Sequence, residues 1–248
     1  MNLAAGWYGK IPALGDFASR RLPPAFISAW DSWLQHSMAA SRAALGDRWL
    51  DTYLTSPIWR FALMPKVLDG SAWAGVLMPS VDKVGRHFPM TLALELEHDP
   101  RIDTMTMILS AESWFADLEK VALSALNADF SASDLERDLE RCPFAQGADF
   151  DPEADGTIDA LAAWWQHPAP DSRAFRLVHS QTALDALRSA AMRAADANSS
   201  GKTIWWSIVG ATGTTEINLF AGLPSEDRFA ELLLGMEDGD VPDHTQWA

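Results

Sequence analysis

The spacing of apolar positions divides this chain into helix-like and strand-like stretches. Between 24 and 44, Phe26, Ile27, Trp30, Trp33, Leu34 and Met38 recur at three- and four-residue steps, and Pro23-Pro24 suits a first helical turn. Three runs then read as strands. Ile58 to Met64 puts Trp59, Phe61 and Leu63 on one face, and Trp73 to Met78 is a short apolar run. Phe88, Met90, Leu92, Leu94 and Leu96 alternate with Pro89, Thr91, Ala93, Glu95 and Glu97. Such alternation predicts one buried and one wetter face, and so an antiparallel or mixed sheet.

Helical spacing returns over 103–127, with Trp114, Phe115, Leu118, Val121 and Leu126 as the stripe, and over Ser131 to Arg141. From Pro143 to Gly156 the chain turns acidic and turn-rich, which predicts a long loop or a subdomain boundary. Beyond it the pattern predicts a strand at 173–178 and a helix at 182–196. A hairpin-like pair follows, Thr203 to Val209 and Thr215 to Phe220, then a helix at 225–236 facing Phe229, Leu232, Leu233 and Met236 inward. The acidic tail from Glu237 reads as frayed. Strands and helices mix without βαβ alternation. The expected fold class is therefore α+β, a central mixed, mainly antiparallel sheet flanked by helices. Residues 1–142 make the expected core, and 143–248 either continue that domain or form a smaller C-terminal subdomain.

Composition narrows the function classes. With 248 residues, 48% of them hydrophobic, the chain can bury a sizeable core without a metal or a disulfide. The single cysteine, Cys142, excludes an internal disulfide. Met1 to Gly6 has neither a basic lead nor an apolar run, and no stretch approaches the roughly 18 apolar residues of a membrane span, so a cytoplasmic protein is expected. Phosphate backbones are bound through clustered Lys and Arg. Here the net charge is −15 and the 19 basic residues are scattered, which argues against nucleic acid and anionic membranes as partners.

Catalytic spacing is mostly missing. Ser80, Asp82 and His87 share one loop, whereas triad members come from separate elements, and there is no Gly-x-Ser-x-Gly elbow. Asp151-x-Glu153-x-Asp155-Gly156 opens like a calcium loop, but Ala162 stands where the bidentate glutamate belongs. The histidines lack zinc spacing, and Gly9-Lys10 lacks the rest of a phosphate loop. No metal and no cofactor is expected.

What remains is the polar content of two segments, Gly6 to Phe17 and Pro79 to Pro89. Each joins residues that want burial to glycines, prolines and charges that want a turn. Lys10, Asp16, Arg20 and Arg21 follow the first strand, and Ser80, Asp82, Lys83 and Arg86 lie between two later ones. These residues, with Trp7, are the candidates for binding a partner. On the structural reading they are loops that lock each other through ion pairs, with Asp16 or Asp82 holding Arg86 by charge-assisted hydrogen bonds. A rival reading is a small-molecule or phosphate-binding enzyme between the loops, with Lys10, Lys83 and Arg86 as the positive charges and Asp16 or Asp82 as a base.

Gly6 to Phe17, Trp30-Asp31-x-Trp33-Leu34, Pro57 to Phe61 and Pro79 to Pro89 resemble the type VI secretion-associated protein family TagF, also called ImpM. The likeness is dense from about 6 to 98, and Ile204 to Ser207 and Gly222-Leu223-Pro224 are similar to the family's later portion. The resemblance implies a cytoplasmic accessory protein of a bacterial contractile secretion machine. It implies a non-enzymatic, post-translational repressor of assembly that binds the system's forkhead-associated scaffold protein. It supplies no catalytic residues to carry over.

Overall fold

The computed structural model of the chain describes residues 4–97, 103–144, 162–163, 183–209 and 214–235. The expected strand at 173–178, the loop beyond 144, the calcium-like acidic run, Met236 and the tail lie outside these residues. Among the described residues seven strands, β1 (Gly6–Gly9), β2 (Ala18–Arg20), β3 (Trp59–Leu63), β4 (Ala72–Met78), β5 (Met90–Leu96), β6 (Lys202–Val209) and β7 (Thr214–Ala221), form one sheet in the order β2-β1-β5-β4-β3-β6-β7. All six pairings are antiparallel, so the fold is α+β as the alternation predicts. The helices are α1 (Pro24–Leu45), α2 (Trp49–Thr55), α3 (Thr104–Leu109), α4 (Glu112–Ser124), α5 (Ala132–Glu140), α6 (Ala183–Ala197) and α7 (Glu226–Leu234).

Both faces of the central strands are covered, which corrects the expected wet face, while Ile217 and Leu219 of the edge strand β7 are exposed. On β5 only Glu95, among the residues alternating with the leucines, is exposed within the strand; Thr91 and Ala93 are buried. The cause is a row of residues across the sheet, Trp205, Phe61, Gly75, Ala93 and Gly6, set by the strand registers. Its last three members are small. A Cβ on Gly75 would sit 2.1 Å from the Leu92 carbonyl oxygen and 2.9 Å from the Phe61 ring. On this face lie Trp30 and Phe26 of α1. Trp30 stacks parallel to Trp205 at 6.1 Å, meets Phe61 at 5.0 Å, and donates its indole N–H to Thr91 Oγ1 at 2.8 Å. A threonine that looks polar in the alternation thus satisfies a buried indole, as large buried rings require.

The opposite face packs under α4, with Trp114, Phe115 and Leu118 buried. The neighbours Trp205 and Trp206 point to opposite faces, and Trp206 meets Phe115 edge-on at 4.7 Å. Arg60 of β3 also points here. It is bidentate to Glu119 (2.7 and 3.0 Å) and bonds Glu112 at 2.7 Å, which fastens α4 to the sheet.

The single helix expected over 103–127 is two. Asp103 caps α3 by accepting from the Thr106 N–H at 2.7 Å, and α3 ends where Ser110 Oγ donates back to the Thr106 carbonyl at 2.7 Å. That local bond competes with helix continuation. Leu126 falls past the end of α4 and is exposed. α5 opens with a capping box between Ser131 and Asp134, the Ser/Asp start visible in the sequence. Two elements were not expected, β2 and α2. Their three and seven residues are too short to show a period.

Candidate functional site

β1 and β5 run antiparallel, so the loop leaving β1 and the loop entering β5 emerge at the same sheet end. There the two polar segments meet. Lys10 Nζ lies 2.8 Å from Asp82 Oδ2, and both side chains are buried. Arg86 Nε donates to the same oxygen at 2.7 Å, while Asp82 Oδ1 accepts from the backbone N–H groups of Val84 (3.0 Å) and Arg86 (2.9 Å). The 82–86 turn is closed by Asp82 N–H to the Arg86 carbonyl and by Gly85 N–H to the Asp82 carbonyl, with Gly85 at φ 84 in the left-handed region that glycine favours. Burial by itself would raise the Asp82 carboxyl. The bonds from Lys10, from the Arg86 backbone and guanidinium, and from the Val84 N–H outweigh it and hold the group well below the usual carboxylate range.

Backbone groups complete the lock. Ser80 Oγ donates to the Lys10 carbonyl at 2.7 Å, Lys83 N–H to the Leu14 carbonyl at 2.9 Å, and Arg86 Nη2 to the Gly15 carbonyl. Tyr53 of α2 bonds Ser80 twice, donating to its carbonyl at 2.8 Å and accepting from its N–H at 2.9 Å. Burial raises the Tyr53 phenol well above its ordinary value, which keeps it a neutral donor. Phe17 caps the arrangement, edge-on to Phe88 at 4.8 Å and with the Lys10 ammonium 4.8 Å from its ring centre.

The candidates therefore divide. Lys10, Ser80, Asp82 and Arg86 converge, and Lys83 joins them through its backbone while its side chain is exposed. Asp16 stands at the margin, 4.0 Å from Arg86 and exposed. Trp7 and Arg21 meet elsewhere, both bonded to Glu136 of α5, with Trp7 buried. Arg20 is exposed on β2 opposite Trp7. The pattern missed Tyr53, inside a helix it did not expect, and the Leu14 and Gly15 carbonyls, which carry no residue identity to read. Ser80, Asp82 and His87 form no triad: the serine is bonded to Lys10, the aspartate to Lys10 and Arg86, and the imidazole lies edge-on to Tyr53 and Trp49. Among the described residues no cluster of His, Cys, Asp or Glu could hold a metal ion, and no helix is long and apolar enough to cross a membrane. Chemically, this arrangement can hold two loops in one shape and present their exposed tips, Phe17, Lys83 and Val84 among them.

Comparison with known proteins agrees with this geometry in covering both loops. Residues 6–142 match the family model described as the TagF N-terminal domain, type VI secretion system-associated. The crystal structure of PA0076 from Pseudomonas aeruginosa PAO1 is similar over nearly the whole chain, with 33% identity, a TM-score of 0.70, and coverage of 96% of this chain and 97% of that one. No curated protein matches. The matched region, more than half the chain, spans β1 to α5 and both interlocked loops, and the protein belongs to the type VI secretion system-associated TagF family.

Proposed function

We propose that this TagF protein is a cytoplasmic, non-enzymatic regulator that represses type VI secretion system assembly after translation by binding the system's forkhead-associated scaffold protein. The observation that carries the non-enzymatic half is the fate of the loop charges. Lys10 and Asp82, the groups an enzyme in this cleft would use, bond each other out of solvent, and Asp82 is saturated with donors. A general base must reach its proton and be free to accept it. The family supports the secretion-system half. The docking candidates are the exposed parts of the same loops, Asp16, Lys83 and Arg86, held rigid from beneath.

The test is co-purification of the full chain with a forkhead-associated scaffold protein of the same secretion system. A complex at micromolar concentration is expected, and its absence counts against the reading. Lys83→Glu, whose side chain has no part in the lock, separates docking from folding. Weakened binding with an unchanged melting curve is the result this reading requires.

A further inference from the structure

The tip where the two loops meet differs in charge from the rest of the chain. Segments 10–22 and 79–89 hold five of the 19 Lys and Arg, namely Lys10, Arg20, Arg21, Lys83 and Arg86, but only Asp16 and Asp82 of the 34 Asp and Glu. The chain as a whole carries −15. Both loops lie within residues 4–97, which are described without a break.

At the tip the two acids are already spent. Asp82 is buried against Lys10, while Asp16 accepts the Phe17 N–H at 2.8 Å and stands 4.0 Å from Arg86. The cations are not spent. Arg86 turns Nε and Nη2 inward, to Asp82 and the Gly15 carbonyl, and Nη1 has no partner among the described residues. The exposed Lys83 ammonium has none there either. A guanidinium fixed at two points is pre-organised to take a carboxylate on its free side.

Two apolar side chains share this surface. Phe17 is 44% exposed, and Val84, in the middle of the 82–86 turn, is 69% exposed. Phe17 is held by stacking on Tyr8 at 6.0 Å and by its edge contact with Phe88. A rigid ring beside an arginine is the usual kind of anchor at a protein interface. The surrounding charge then selects what docks. A basic partner would be drawn to the acidic remainder of the chain, where the tip has no advantage. An acidic partner is repelled by that remainder and attracted here, which orients it before contact.

We infer that the tip binds an acidic face of the scaffold protein, with partner carboxylates on Lys83 and Arg86 and an apolar partner side chain on Phe17 and Val84. This chemistry rests on the scaffold reading and adds the sign of charge that the partner must present.

The experiment is surface plasmon resonance of the full chain against a forkhead-associated scaffold protein of the same secretion system, with Val84→Lys and Val84→Glu beside the parent. The Val84 side chain has no part in the lock, so both variants should melt as the parent does, and only the sign of the new charge differs. Val84→Lys should associate at least as fast as the parent and Val84→Glu about tenfold more slowly, the difference shrinking as salt is raised from about 50 to 500 mM. A difference below about threefold between the two variants at low salt overturns the inference. The reverse order overturns it too, because the partner surface would then be basic. In either case the complex still forms and the scaffold reading stands. No complex with the parent chain at micromolar concentration overturns both.

Discussion

Replacing Lys10 with methionine removes the buried ammonium and keeps most of its stem against Phe17. Breaking a buried ion pair by deleting one partner costs about 3–5 kcal/mol when the survivor is left uncompensated. Asp82 is not left so, because it retains Arg86 Nε and two backbone N–H donors. The expected loss is therefore smaller, about 2–3 kcal/mol. For a chain of this size that corresponds to a fall in melting temperature of about 5–10 °C. The loss should also depend on pH. Asp82 has its folded pKa depressed below the unfolded value, so its contribution is fully present above the unfolded carboxylate range and is lost as pH falls toward the folded value. Because the unfolded chain is common to both, the gap between parent and Lys10→Met should persist through the usual carboxylate range, where the remaining donors still hold Asp82 low in the variant, and close only as pH falls toward the parent's folded value. Urea unfolding across that range measures it. A loss below about 0.5 kcal/mol at pH 7, or one that has already vanished at pH 5, would refute the reasoning that an ionic lock sets the loop geometry.

Two further outcomes follow from the packing. Arg60→Met should cost no more than about 1–2 kcal/mol, since Glu112 and Glu119 can turn to water, whereas removing both glutamates strands a buried guanidinium and should cost about 3–5 kcal/mol; equilibrium unfolding of the two variants gives the ranking. Gly75→Ala drives a methyl into the Leu92 carbonyl and the Phe61 ring, and soluble yield with near-ultraviolet circular dichroism should report a loss of about 3 kcal/mol or more.

Much of this architecture was legible because burial leaves a period. α1 announced itself through Phe26, Trp30, Leu34 and Met38, and β5 through its leucines, each a repeat long enough to stand above composition. What could not be read was which strand neighbours which. Nothing local to Phe61 says that Trp205 lies beside it, and the covered second face of β5 depended on that row. The loop lock was half legible. The charged residue types were visible at both segments, but Lys10 and Asp82 are 72 residues apart and their meeting is a consequence of strand order. The carbonyls of Leu14 and Gly15 and the hydroxyl of Tyr53, which complete the lock, depend on conformation alone.

The β3–β6 pairing has a consequence for synthesis. Arg60 finds Trp206 roughly 150 residues later, an interval of about 7–30 s at ordinary rates of translation. Once β5 has been made, and until β6 follows, a nascent chain holding β1 to β5 would carry an unclosed hydrogen-bonding margin beside Trp59 and Phe61. Such a half-built sheet invites chaperone capture or pairing with a neighbouring nascent chain, so yield in the cell should be governed by how quickly the last third arrives.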